Sequence, residues 1–223
     1  MEYRHELKFL VPDITLEKLH HRLSQVMELD ANQQDQSYRI RSLYFDDYFD
    51  KCLSENLAGT DDRFKYRIRL YKSNLDYINL EKKYKYRGMT KKQAERLDVE
   101  TVKLCMTAMH ELNPTGPLLT ELYASFIKSG MRPKCIVEYD RCAFVEPVGN
   151  VRITFDMNLR GSGDVDRFLD FSEDFTLPAM AAGYHILEVK YDELLPKHIL
   201  RLVDINNLQR QSISKYAYIR EVI

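Results

Sequence analysis

The sequence predicts an α+β protein in which antiparallel strands, about eight of them, close into a barrel with a tunnel and flanking helices. Two observations support this. Several segments alternate apolar and charged residues with the period of a strand, and a few others carry the spacing of a helix. The chain has 223 residues and no repeat or Pro/Gly/Ser-rich linker, so we expect residues 1–223 to form a single domain.

Composition excludes several classes of protein. The 33 Lys and Arg residues nearly balance the 34 Asp and Glu residues, which argues against a nucleic-acid coat or a membrane-surface binder. With 15 Tyr and 10 Phe to bury, the chain is not globally disordered. No stretch is long and apolar enough to span a membrane, and the N-terminus lacks the features of a signal peptide. The 4 cysteines have no metal-binding spacing. We therefore expect free thiols, a cytoplasmic protein and no membrane span of its own.

Seven segments alternate apolar and polar side chains with the two-residue period of a β-strand. We expect strands at residues 3–10, 41–46, 63–71, 77–87, 136–144, 151–156 and 186–191. The segment 63–71, RFKYRIRLY, shows the pattern most plainly, because its odd positions are Arg63, Lys65, Arg67 and Arg69. Its even positions are aromatic or aliphatic, so one face of this strand is basic and the other is apolar.

Four segments carry helical spacing, at residues 15–29, 90–109, 118–129 and 194–202, and the second of them has a break near Asp98. The first has Thr15 as its N-cap. The third ends before Gly130 and Pro133, which are stop signals. Residues 160–174 form the longest polar stretch and are expected to be a loop.

The basic faces of the strands need an explanation. In a solvated antiparallel sheet a charged face is ordinary, but like charges on neighbouring strands repel, and surfaces usually mix both signs. If the charged faces point into a barrel, an empty lumen is unfavourable, since each unpaired buried charge costs several kcal/mol. A polyanion in the lumen would remove that cost, because Arg and Lys bind phosphate oxygens well. The acidic residues among them could hold a divalent cation.

An open RNA-binding platform is the main alternative from another class. Such a platform interleaves aromatic side chains with basic ones on a single face. Here Phe64, Tyr66, Tyr84 and Tyr86 lie on the face opposite the basic residues. The pattern therefore favours an enclosed anion site, and we expect no nucleic-acid partner.

The strand segments, in their order along the chain, resemble the triphosphate tunnel metalloenzymes (the CYTH-like superfamily), most closely their VTC or polyphosphate polymerase branch. The segments that carry the resemblance are RHELKFLV (4–11), SLYFDD (42–47), KYRIRLY (65–71), LEKKYKYRG (80–88), VEYDRCAF (137–144), RITFD (152–156), LEVKYD (187–192) and SISKY (212–216). The wider superfamily carries ExExK in its first strand, where this chain has Arg4-x-Glu6-x-Lys8. The missing first carboxylate favours the polymerase-like branch and removes one candidate metal ligand.

The resemblance implies a tunnel walled by basic residues and the roles of particular side chains. It implies that the catalytic residues are Lys8, Arg67, Arg69 and Glu188. It implies that the triphosphate is bound by Lys8, Arg67, Arg69, Lys83, Arg141, Arg152, Lys190, Ser214 and Lys215. The metal, Mn²⁺ or Mg²⁺, would be held by Glu188, with Glu6 and Glu81 as further tunnel carboxylates.

The resemblance also implies a function. We expect a metal-dependent phosphotransferase that binds ATP or inorganic triphosphate and transfers the terminal phosphate to a polyphosphate chain. Two alternatives use the same tunnel. One is an inorganic or nucleoside triphosphatase, in which Glu6 or Glu81 would activate water, and the other is a non-catalytic sensor of polyphosphate or nucleotide. The oligomeric state stays open.

Overall fold

The computed structural model describes residues 3–33, 35–172, 174–204 and 207–223. Its strands are β1 (His5–Pro12), β2 (Glu28–Leu29), β3 (Tyr38–Asp46), β4 (Arg63–Tyr71), β5 (Asn74–Tyr86), β6 (Met89–Leu97), β7 (Arg132–Glu146), β8 (Val151–Ser162), β9 (Leu177–Pro178) and β10 (Tyr184–Tyr191). Its α-helices are α1 (Asp13–Leu23), α2 (Lys51–Leu57), α3 (Val99–Thr107), α4 (Pro117–Ser129), α5 (Lys197–Val203) and α6 (Lys215–Val222). In the described part of the chain, no helix has the length and apolar character needed to cross a bilayer.

The strands form one curled antiparallel sheet in the order β1-β10-β8-β7-β3-β4-β5-β6. The two edge strands meet at one point, where the backbone N–H groups of Arg4 and Thr90 each donate to the other residue's carbonyl at 2.9 Å. After Thr90, β6 lies against α4, where the Glu95 carboxylate accepts the Leu118 N–H at 2.7 Å. The predicted α+β fold is therefore present, but the prediction of a closed barrel is wrong: the sheet is a half-barrel.

The convex face of this half-barrel is apolar and covered by helices. On one half, Ile68 and Leu80 pack with Val102 of α3 and Leu122 of α4. On the other half, Phe9 and Val189 belong to a cluster with residues of α1 and α5. Burying each such side chain stabilises the fold by about 1.5–3 kcal/mol. Because the apolar faces turn outward under the helices, the charged faces line the concave side.

Helix α6 lies on the concave side, against β7 and β8. Tyr216 and Ile219 pack in a cluster with Val137 and Leu159, and the Tyr216 hydroxyl donates to Asp46 Oδ2 at 2.7 Å. The Ser214 hydroxyl caps the helix by accepting the Ala217 N–H at 3.3 Å. Helix α6 thus fills part of the concave side and was not predicted, since Lys215 had been placed in the SISKY segment without a helix of its own.

Residues 90–109 were predicted as helical with a break near Asp98, and the structure changes there from β6 to α3. The part after the break is helical, as predicted, but the part before it is a strand. A two-residue turn at Arg87 and Gly88, both with positive φ, returns the chain antiparallel to β5. Positive φ at both positions is what a tight hairpin of this kind requires. The Asp98 carboxylate then accepts the Thr101 N–H at 2.7 Å and starts α3. Pairing with β5 overrides the helical spacing of residues 90–97.

The approach of α6 to β8 depends on Gly161. A Cβ at this position would lie 2.7 Å from two side-chain carbons of Ile219 and would collide with the backbone carbonyl of Ile136. We expect Gly161→Ala to lower the free energy of unfolding by about 1–3 kcal/mol, because the backbone cannot yield as a flexible side chain would. Urea denaturation measures the change.

Gly163→Ala is the matched control, since its Cβ would be 3.6 Å from Ile223, an ordinary contact. This variant should unfold within about 0.5 kcal/mol of wild type. Equal stability of the two variants would contradict the assigned packing of α6.

Candidate functional site

The concave side of the sheet and the N-terminal end of α6 enclose a cavity of about 380 Å³. Ten of the twelve predicted site residues line it: Lys8, Arg67, Arg69, Lys83, Arg141, Lys190 and Lys215, with Ser214, Glu6 and Glu188. Four further basic residues also line it, namely Arg63, Lys65, Lys85 and Arg210. Within the described chain, eleven basic and two acidic side chains therefore face the cavity, a formal excess of nine positive charges.

Glu188 on β10 lies at the centre of the basic residues. Its Oε1 is 2.7 Å from Lys215 Nζ and 3.6 Å from Lys8 Nζ, and its Oε2 is 2.9 Å from Lys190 Nζ and 3.5 Å from Arg141. Burial by itself would raise the pKa of this carboxyl group, but the surrounding cations hold it well below its usual range. Glu188 is therefore ionised and forms the main negative charge in the cavity.

Glu6 on β1 provides the second carboxylate. Its Oε2 lies 2.7 Å from Lys83 Nζ, and its Oε1 lies 3.4 Å from Lys8 Nζ and 4.0 Å from Lys190 Nζ. Burial opposes ionisation, yet these three lysines hold the pKa of Glu6 well below its usual range. Lys8 and Lys190 thus each contact both Glu6 and Glu188.

Asp156 pairs with Arg141 and Lys215 from outside the lining of the cavity. The Arg141 guanidinium donates to both of its oxygens, at 2.6 and 2.7 Å, and Lys215 Nζ lies 2.5 Å from Oδ2. Asp156 is fully buried and does not line the cavity. This arrangement fixes the direction in which Arg141 and Lys215 present their remaining N–H groups.

Arg67 and Arg69 on β4 are held in a similar way. Arg67 pairs with Glu81 Oε2 at 2.6 Å and donates to the Tyr44 hydroxyl at 2.9 Å. Arg69 donates to the hydroxyl groups of Ser42 at 3.0 Å and Tyr139 at 3.1 Å. Both guanidinium groups are therefore oriented before any ligand binds.

Glu81 was predicted as a tunnel carboxylate, but the structure places it behind Arg67, outside the lining of the cavity. It is fully buried, and its other oxygen accepts from Lys92 Nζ at 2.8 Å. Both oxygens are used by cations of the protein, so Glu81 is a support for Arg67 and is not offered to a ligand.

Arg152 was predicted as a phosphate ligand, but it also lies outside the lining of the cavity. Its guanidinium pairs with Asp30, just beyond β2, and donates to the Tyr38 hydroxyl at 3.2 Å. These two partners hold Arg152 away from the residues around Glu188. The strand pattern placed Arg152 on the correct face of β8. It could not show that the Arg152 guanidinium would pair with Asp30.

Lys65 lines the cavity but was not among the site residues that the resemblance implies, although the pattern of residues 63–71 placed it on the basic face. Its Nζ donates to Ser214 Oγ at 3.0 Å and lies 5.1 Å above the Tyr216 ring. Among the described residues, no carboxylate lies within ion-pair distance of it. Burial, together with Lys8 and Arg63 nearby, lowers the pKa of Lys65 to about 8. Its position in phase with Arg67 and Arg69 was the signal that could have identified it.

Lys83 has a lowered pKa as well, to about 7, because burial and the charges of Lys8 and Lys190 outweigh its pairing with Glu6. The lowered pKa means that the carboxylates near Lys83 do not balance the positive charges around it. A bound anion would add negative charge and raise this pKa again.

Two carboxylates in the cavity are candidate ligands for a divalent metal ion. No group of three or more His, Cys, Asp or Glu side chains converges anywhere in residues 3–33, 35–172, 174–204 or 207–223. Mg²⁺ in particular commonly takes only one or two carboxylates and completes its shell with substrate phosphates and water. Glu6 and Glu188, both ionised and facing the cavity, fit that mode of binding. They do not form a complete metal cage of their own.

Known structures share this fold. A Pyrococcus horikoshii OT3 protein is similar over 99% of this chain and 100% of its own, at 12% identity and a TM-score of 0.53. A candidate adenylate cyclase from Bacillus halodurans covers 96% of this chain and 94% of its own, at 15% identity and a TM-score of 0.54. Another, from Vibrio parahaemolyticus, covers 97% of both chains, at 12% identity and a TM-score of 0.52. At these identities the likeness establishes the fold alone.

No curated protein matches the sequence significantly. The VTC domain, in contrast, matches residues 3–222, which is nearly the whole chain. The match spans β1 at one end and α6 at the other, so it includes every element that lines the cavity. The chain belongs to the VTC domain family.

Proposed function

We propose that this protein is a metal-dependent phosphotransferase of the polyphosphate polymerase type. It binds ATP or inorganic triphosphate through the phosphates and transfers the terminal phosphate to a polyphosphate chain. The observation that carries the proposal is the cavity with nine more basic than acidic side chains, including a half-buried lysine, Lys65, with no carboxylate partner in the described chain. Unpaired charges in such a place are unfavourable unless a polyanion binds there.

The way the cations are held supports a role in phosphoryl transfer. This reaction depends mainly on positioning and on stabilising the negative charge of the transferred group. Arg141 and Arg67 are fixed from behind by Asp156 and Glu81, so their donors are oriented before the substrate arrives. Preoriented donors stabilise a transition state without a reorganisation cost.

The carboxylates favour transfer to phosphate over hydrolysis. Attack by water requires a base that can accept a proton near neutral pH. Glu6 and Glu188 have pKa values held well below the usual range, so they are weak bases, and Glu81 lies outside the lining of the cavity. An acceptor phosphate oxygen is already ionised at neutral pH and needs no base.

A divalent ion fits this proposal as a partner of the substrate. Glu188, with Glu6 beside it, would hold Mn²⁺ or Mg²⁺ together with phosphate oxygens. When bound, the ion supplies positive charge to the phosphate that is transferred. Lys8, Lys190 and Lys215 hold Glu188 ionised and in place, and in this way they preserve the ligand that the ion requires.

Incubation with ATP and Mn²⁺ tests the reaction. We expect ADP and long phosphate chains in the wild-type protein, resolved by gel electrophoresis and by assay of released phosphate. Glu188→Gln should reduce turnover by at least about a hundredfold, since a carboxylate essential to metal and lysine placement is lost. Binding of tripolyphosphate should persist, because the substitution removes a negative charge from a basic cavity.

Glu100→Gln is the matched control, since Glu100 is exposed on α3 and pairs only with Lys103 among the described residues. This control should be as active as wild type. If free phosphate is the main product, the protein is a triphosphatase and not a polymerase. If it binds the substrate without turnover, it is a sensor and not an enzyme. Full activity of Glu188→Gln would refute the role of Glu188.

The affinity for tripolyphosphate should depend on pH through Lys65. Below its pKa of about 8 the ammonium group is already charged, so binding requires no proton uptake. Above that pH, binding must take up a proton, and the affinity should fall by up to about tenfold per pH unit for this one group. Calorimetric titration between pH 7 and pH 10, at constant ionic strength, measures the decline.

Lys65→Arg is the control for this assignment, because arginine stays charged over the whole range. Ionisation of the ligand itself affects both proteins equally. The variant should therefore show a shallower decline in affinity with pH. Identical slopes for the two proteins would show that Lys65 does not contact the phosphates.

A further inference from the structure

Three basic side chains lie at one end of the cavity, beside the turn between β5 and β6. We call Arg63, Lys85 and Arg210 the mouth cluster. Gly88 of that turn and Thr90 line the same end of the cavity, and Arg210 is exposed to solvent. Lys85 is half-buried, and Arg63 is buried with its guanidinium donating to the Thr60 carbonyl. Glu188 and Arg141 are buried at the inner part.

The mouth cluster differs from the inner cations in how its charge is balanced. Of the eight other basic residues that line the cavity, seven have a carboxylate within 4.0 Å. The eighth is Lys65, which donates to the Ser214 hydroxyl instead. In the described chain, no carboxylate lies that close to Arg63, Lys85 or Arg210. The carboxylates that influence Arg63 and Lys85 from further away are Asp61 and Glu55, and Asp61 already accepts the Gly88 N–H at 2.8 Å.

The register of the sheet brings like charges together at the mouth. Arg63 on β4 lies directly opposite Lys85 on β5, and two residues further in, Lys65 lies opposite Lys83. Directly opposed like charges destabilise a sheet. The pKa of Lys85 is lowered by burial first and by Arg63, Lys8 and Arg210 in addition, which agrees with their proximity. A continuous run of cations therefore leads from the mouth to Glu6.

We propose that the mouth cluster is a second anion subsite, which binds the distal phosphates of a polyphosphate chain whose end occupies the inner cavity. Arg63 and Arg69 lie six residues apart on β4, roughly 20 Å at the rise of a strand. That is longer than three phosphorus atoms joined by single oxygen bridges can span. The inference rests on the proposed function and adds to it a preference for chains longer than triphosphate.

A nucleotide base is the competing occupant of the mouth, since Phe64 and Tyr84 also line the cavity. Base recognition of this kind requires an open aromatic face. The Lys82 ammonium group lies 4.2 Å from the centre of the Phe64 ring and 4.5 Å from that of Tyr84, so both rings already carry a cation. The structure therefore favours phosphate over a base at this place.

The test compares the dissociation constants of tripolyphosphate and of a long-chain sodium polyphosphate by calorimetry. The variant is Lys85→Gln/Arg210→Gln, in which no side-chain hydrogen bond described in the structure is removed. We expect long-chain affinity to fall by about tenfold or more, the effect of losing one or two charge-assisted contacts. Tripolyphosphate affinity should stay within about twofold of wild type, since the inner residues are unchanged.

Lys18→Gln/Lys128→Gln is the matched control, because it removes the same charge from exposed positions on α1 and α4. It should leave both affinities unchanged. If the mouth variant binds long chains as tightly as wild type does, the second subsite is overturned while the proposed function stands. The same holds if ATP, titrated in parallel, loses affinity in the variant while long-chain polyphosphate does not. If wild-type protein binds no tripolyphosphate, the proposed function itself fails.

Discussion

Repulsion among like charges on the concave face of the sheet is the constraint on which the rest of the structure depends. Lys65 opposes Lys83 across β4 and β5, and Arg67 and Arg69 follow on the same face. Four buried carboxylates offset this repulsion: Glu6, Glu81, Asp156 and Glu188. Each of them contacts at least two cations. The loss of any one would leave buried positive charges without a partner, which is strongly unfavourable.

The remaining architecture keeps these charges in fixed positions. Helices α3 and α4 cover one half of the convex face, and α1 and α5 cover the other, so the apolar face of the sheet is buried. Helix α6 binds the concave side through Tyr216 and Ile219, and its N-cap, Ser214, accepts from Lys65. One short helix therefore closes part of the half-barrel and also contributes to the cavity. A stable fold and a formed site are consequences of the same packing.

The two-residue periodicity was sufficient to predict which face of each strand carries the site, because alternate side chains must point to opposite faces. It could not predict partners distant in sequence. Arg152 is on the correct face, yet Asp30 holds it outside the lining of the cavity, and Glu81 is on the correct face behind Arg67. Helical spacing in residues 90–97 was misleading, since pairing with β5 decided the structure. Barrel closure depends on the edges β1 and β6, whose contact at Arg4 and Thr90 leaves no sequence pattern.

Two kinds of carboxylate therefore have different consequences for a ligand. Asp156 and Glu81 contact their arginines from outside the cavity lining, so an incoming phosphate can bind Arg141 or Arg67 without displacing them. Glu6 and Glu188 face the cavity and share Lys8 and Lys190, so an anion must compete with them for these lysines. A polyanion that arrives with a divalent cation meets both requirements at once, since its phosphates satisfy the lysines while its cation satisfies the carboxylates. A cavity that combines a large basic excess with two carboxylates in its lining is thus better matched to a metal-bound phosphate chain than to a bare anion.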